Sequence, residues 1–157
     1  MKRAAFFDLD RTLVRVNTGP LYVRWRMRRR QMGLPELLRV SWWTLQYTFG
    51  VIDADAVSRA AARSLEGLDE AAYRRECAEW VEAEVLAHVT QAAREAVARH
   101  AAEGAVCALL TGTSPYVAEP VAAHLGIEHV LSSRMAVKDG RFTGEVEPPL
   151  CYAEGKV

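Results

Sequence analysis

Ala4, Ala5, Phe6 and Phe7 form an unbroken apolar run that stops at Asp8, the pattern of a short strand buried on both faces. After Val14 the period changes. Leu21 to about Met32 reads as an amphipathic helix entered through Gly19-Pro20 and broken by Gly33-Leu34-Pro35. Glu36 to Phe49 predicts a second helix whose apolar face carries Leu37, Leu38, Trp42, Leu45 and Phe49, with Gly50 as its stop. Asp53 and Asp69 are placed as N-caps of helices over Ala54 to Leu65 and Glu70 to about Ala87, and Thr90 restarts a helix that Gly104 closes.

Strand periodicity then returns. Ala105 to Leu110 is a continuous apolar run of strand length, Ser114-Pro115 open a helix ending at Gly126, and Ile127 to Ser132 predicts a third, parallel strand. Met135 to Lys138 and Arg141 to Val146 flank Asp139-Gly140, a hairpin signal because that pair accepts the positive φ angles of a tight turn. The order predicts an α/β protein: one strand, a long helical insertion, then the rest of a parallel unit.

Bulk composition changes this picture little. Half of the 157 residues are hydrophobic, enough for one domain with a core, and 20 basic residues balance 20 acidic ones, so net charge gives no case for a nucleic-acid partner. No run reaches membrane-span length. Asp8 and Asp10 leave no room for the hydrophobic region of a signal peptide, and three scattered cysteines (Cys77, Cys107, Cys151) among mostly apolar neighbours suit a reducing cytoplasm better than a disulfide framework. His88, His100, His124 and His129 share no metal-binding spacing with acids or cysteines; the first three are expected at the surface.

Three places carry candidate chemistry. Two carboxylates at a strand end, Asp8 and Asp10, point to one side of an extended chain and repel unless a cation or a shared proton relieves them. Thr111-Gly112 sits where a strand hands over to a helix, joining a hydroxyl, a close backbone approach and a positive helix end into a phosphate cradle. Lys156 follows Gly155 after the hairpin, Pro148-Pro149 and Cys151-Tyr152.

In this order, Asp8-Leu9-Asp10-Arg11-Thr12, Thr111 and Lys156 resemble the first three motifs of the haloacid dehalogenase-like (HAD) phosphohydrolases, and the helices between the first two resemble the small C1 cap of the phosphoserine phosphatase-like branch, subfamily IB. The resemblance implies a Rossmann-like parallel core from 1–14 and 89–157 with a helical cap inserted at 15–88. It further implies a Mg2+-dependent phosphomonoesterase acting on a small phosphorylated metabolite. Asp8 would be the nucleophile, Asp10 the acid and base, and Thr111, Gly112 and Lys156 the phosphoryl-holding groups. Magnesium would bind the Asp8 side chain and the Asp10 carbonyl, Thr12 would shape the loop, and Arg15 would meet a substrate carboxylate or second phosphate.

The family's fourth motif, a Gly-Asp-Ser with a later Asp that feeds carboxylates to the metal, has no counterpart up to Val157. The expectation is therefore an incomplete core, weak metal affinity and little turnover, with the first strand an exposed apolar edge until a missing segment or partner covers it. Two other readings stand beside the hydrolase: a non-catalytic remnant or interaction module, and a basic helical domain in which Arg24 to Arg30 bind an anionic membrane or nucleic acid. Solvated arginines over a Trp-lined cap explain the same cluster.

Overall fold

The computed structural model describes residues 3–30, 33, 42 and 54–148. The expected helix from Glu36 to Phe49, apart from Trp42, lies outside them, as do the Asp53 cap and Lys156. The described elements are β1 (Ala4–Phe7), α1 (Thr18–Arg28), α2 (Ala54–Ser64), α3 (Glu70–Trp80), α4 (Gln91–Ala102), β2 (Val106–Thr111), α5 (Pro115–Leu125), β3 (His129–Ser132), β4 (Arg134–Lys138) and β5 (Arg141–Glu147). A turn of π-helix over Val81–Val85 and a 3-10 turn over Leu86–His88 follow α3.

Local chemistry sets most boundaries. Asp69 and Thr90 cap α3 and α4 by accepting from the N–H groups of Ala72 at 2.8 Å and Ala93 at 3.0 Å. α5 begins with Pro115 and ends at Gly126, whose φ of 70° is left-handed. α1 starts earlier than its pattern predicts, at Thr18, because Asn17 caps it and Pro20 falls in the first turn, where no amide donor is needed.

The sheet is parallel in the order β1-β2-β3, with Phe7 opposite Leu109 and Leu109 opposite Val130. The α/β, Rossmann-like expectation is met. Register divides the sheet into two faces. One turns Ala5, Phe7, Cys107, Leu109 and Val130 toward Val97 of α4 and Val117 and Val121 of α5, in a core that also takes Leu9, Leu13, Trp25, Trp80 and Val85. The other leaves Phe6, Val106 and Leu131 exposed at 60%, 41% and 48%.

This corrects the expectation that the first strand is buried on both faces. Both crossovers advance the same way across the sheet, and right-handed connections then put both helices on one side. The described residues leave the opposite side open, and β1 is an edge among them.

The predicted hairpin forms, with Asp139 at φ 51° and Gly140 at φ 74°. It packs on the helical insert. The Gly67 N–H donates to the Phe142 carbonyl at 2.9 Å, the Phe142 N–H to the Leu68 carbonyl at 3.1 Å, and the Glu70 N–H to the Gly140 carbonyl at 2.9 Å. Phe142, Tyr73, Tyr116, Leu65 and Cys77 close a second, smaller core between hairpin, insert and α5. In the arginine cluster, Arg28 pairs with Glu84, Arg29 pairs with Glu79 at 3.5 Å, and the Arg29 guanidinium lies 4.7 Å from the Trp25 ring centre.

Candidate active site

The parallel pairing of β1 with β2 brings their carboxyl ends together, so the loop holding Asp8 and Asp10 meets the loop holding Thr111 and Gly112. The first loop is folded tightly on itself. Leu13 N–H donates to the Asp8 carbonyl at 3.3 Å, Val14 N–H to the Leu9 carbonyl at 3.1 Å, and Arg11 N–H to the Val16 carbonyl at 3.2 Å. Arg11 takes a φ of 59°, and Leu9 and Leu13 between the polar residues are buried.

The Asp10 carboxylate links three segments. Its Oδ1 accepts from the Thr18 N–H at 2.9 Å, and its Oδ2 accepts from the Thr113 hydroxyl at 3.3 Å. Thr18 begins α1, so a carboxylate satisfies an otherwise orphaned amide at the positive end of that helix. Thr113 N–H in turn donates to Oγ1 of the buried Thr111 at 3.1 Å. Asp10, Thr18, Thr111 and Thr113 therefore form one connected set.

The other predicted residues fall around it. Asp8 is exposed directly after β1, Thr12 is exposed in the same loop, and Gly112 lies between Thr111 and Thr113. Arg15 is exposed and donates from Nε to Nδ1 of His88 at 3.2 Å. Sequence reasoning missed Thr113 and His88. Thr113 was discoverable as a second hydroxyl two residues past Thr111, whereas nothing local to His88 announces Arg15, which is 73 positions away.

Burial rather than charge shapes the titration of the groups around the insert. Loss of solvation pushes the Cys77 thiol and the Tyr116 phenol up to about 12, and raises Tyr22 and Tyr73 as well. All four stay protonated at neutral pH.

Magnesium prefers hard oxygen donors and retains several waters. The Asp8 carboxylate and the carbonyls of its loop fit such an ion in kind. No cluster of three or more His, Cys, Asp or Glu side chains with metal-binding geometry occurs among the described residues.

The sequence profile of the haloacid dehalogenase-like hydrolases matches residues 5–157. A probable phosphatase of Mycobacterium tuberculosis is 28% identical over 163 residues, covering 99% of this chain and 55% of its own length. The chain thus spans about half the length of the first curated relatives it matches, 55% in each case. A structure of a protein with unknown function from Bordetella pertussis Tohama I matches with a TM-score of 0.84 at 28% identity, over 99% of this chain and 71% of that one. Phosphoserine phosphatase, solved as a phospho-aspartyl intermediate analogue, shares the fold with a TM-score of 0.60 at 24% identity, over 93% of this chain and 63% of that one.

Proposed function

Because the chain belongs to the haloacid dehalogenase-like hydrolase family, we propose that it carries the phosphoryl-transfer centre of a magnesium-dependent phosphomonoester hydrolase working through an aspartyl-phosphate. Residues 1–14 and 89–157 serve as the core and 15–88 as a lid. The substrate is a small phosphorylated metabolite. Free, buried Cys77 and Cys107 suit a reducing, cytoplasmic setting.

Phosphoryl transfer needs positioning and charge neutralisation more than covalent invention. Asp8, exposed after β1, attacks phosphorus and the ester oxygen leaves. Asp10 gives that oxygen its proton, then takes one from the water that opens the aspartyl-phosphate. Thr111, the amides around Gly112 and the start of α5 face the phosphoryl oxygens, with Lys156 as the cation that steadies them. Thr12 keeps the Asp8 loop in shape. A magnesium ion on the Asp8 carboxylate and Asp10 carbonyl would neutralise charge on the phosphoryl group.

The observation that carries this reading is the Asp10 carboxylate, fixed by Thr18 and Thr113 at once. A side chain held from two directions keeps one orientation, which a group that must give and retrieve a proton requires. The relative solved as a phospho-aspartyl intermediate analogue supports the covalent step by likeness of fold.

The test is magnesium-dependent phosphate release from a panel containing O-phosphoserine, glycerol phosphate and para-nitrophenyl phosphate. Asp8→Asn abolishes release if the reading holds. Activity that survives Asp8→Asn would falsify it.

A further inference from the structure

The chain leaves the Asp8–Asp10 loop and returns from the helical insert at one place. Val14 and Val89 form an antiparallel bridge, Arg15 N–H donates to the His88 carbonyl at 3.1 Å, and Thr90 N–H donates to the Leu13 carbonyl at 3.2 Å. On this short ribbon the two side chains also meet, with Arg15 Nε donating to His88 Nδ1 at 3.2 Å. A ring nitrogen can accept only when it carries no proton, so this contact selects the neutral imidazole with its hydrogen on Nε2.

The same loop is folded back on Asp10, through the Asp10–Val14 bridge and the bond from Arg11 N–H to the Val16 carbonyl. Arg15 therefore follows directly on a backbone bridge to Asp10, and its guanidinium is oriented by one side chain from the far end of the insert. A guanidinium fixed through Nε keeps its terminal nitrogens in a fork suited to a carboxylate or phosphate.

We propose that His88 is a positioning residue: from the return of the insert, its neutral imidazole holds Arg15 for the anionic group of the substrate. This rests on the phosphomonoesterase reading above. Arg15 faces His88 across the ribbon, while Glu84, one turn earlier on the same helical stretch, is engaged by Arg28 of α1.

The experiment measures kcat and KM for O-phosphoserine and para-nitrophenyl phosphate at pH 7.5, with magnesium present. Variants are His88→Ala, His88→Asn, Arg15→Gln and Asp8→Asn, each checked for unchanged far-UV circular dichroism. Losing a charge-assisted contact predicts a KM about tenfold higher in His88→Ala and Arg15→Gln, with kcat changing far less. His88→Asn, which retains an acceptor, restores most of that loss.

An unchanged KM in His88→Ala, or equal loss in His88→Asn and His88→Ala, overturns the positioning role. If Asp8→Asn is inactive in that same series, the phosphatase reading stands without it. Hydrolysis that survives Asp8→Asn, or none in the unaltered protein, overturns both.

Discussion

The Thr113 hydroxyl donates to Oδ2 of Asp10 across 3.3 Å, although 103 positions separate them in the chain. The contact makes the loops after β1 and β2 one structure rather than two. It also gives the carboxylate proposed as acid and base a partner from the loop after β2, which the Thr18 amide alone would not.

Asp10→Asn keeps the shape of the side chain and removes its ability to carry a proton. General acid and base catalysis contributes about 10²–10⁴-fold, so kcat should fall by that factor while phosphate release remains detectable. Thr113→Val removes only one oriented hydrogen bond and should cost about tenfold, with Thr113→Ser close to the unaltered protein. Steady-state kinetics on the phosphomonoester panel decides both. Equal activity in Thr113→Val would show that the contact does nothing for the proton carrier.

Stability should decline in alkali. Burial raises Cys77 from 9.0 to about 12 and Tyr116 from 10.0 to about 12 in the folded chain, so the unfolded chain gives up these protons first. The contribution of neutral Cys77 is complete below pH 9 and is lost as pH climbs from 9 to 12. Urea midpoints at pH 7.5 and pH 10.5 should therefore differ, and Cys77→Ala should narrow the difference. A midpoint that is flat across this range would contradict the burial of these groups.

Helix caps offer a test of the fold independent of catalysis. Asp69→Ala and Thr90→Ala each remove an acceptor from an amide in the first turn of α3 or α4, and each should lower unfolding free energy by about 1 kcal/mol. Asp69→Asn and Thr90→Ser should recover most of it. Chemical denaturation provides the measurement, and losses below about 0.3 kcal/mol would mean that these ends are held by packing instead.

The side of the sheet that the described residues leave open predicts a different behaviour. Phe6→Ser deletes the most exposed large apolar side chain of that face without emptying the core, so it should reduce binding of a hydrophobic dye and self-association while changing stability little. Light scattering and dye fluorescence read the outcome. A strongly destabilised Phe6→Ser protein would show that the residue is packed in solution.

What the letters revealed follows from how far each determinant reaches. Asp69, Thr90, Gly126 and Asp139-Gly140 act within a few residues of themselves, and each stands where the pattern put it. The helix expected to run unbroken to about Ala87 instead widens at Val81–Val85, beside buried Trp80, Val81 and Val85, where tertiary packing rather than propensity sets the geometry. Phe6 misled for a related reason: an apolar letter records what a face can bury, not whether a neighbour lies over it. Asp8, Asp10, Thr111 and Gly112 were legible as motifs. Thr113 could be suspected beside Thr111, but that it orients Asp10, and that His88 orients Arg15, could not, because those pairs are joined only through the fold.

The bridge between Val14 and Val89 makes the helical insert a detour whose two feet share one doorstep. Such a detour can be lengthened, shortened or exchanged without altering the distance that β1 and α4 must span. On the proposed division into core and lid, one chemical centre is offered to different molecules by grafting at this junction. Chimaeras that cut there should inherit the selectivity of the donor and the chemistry of the host.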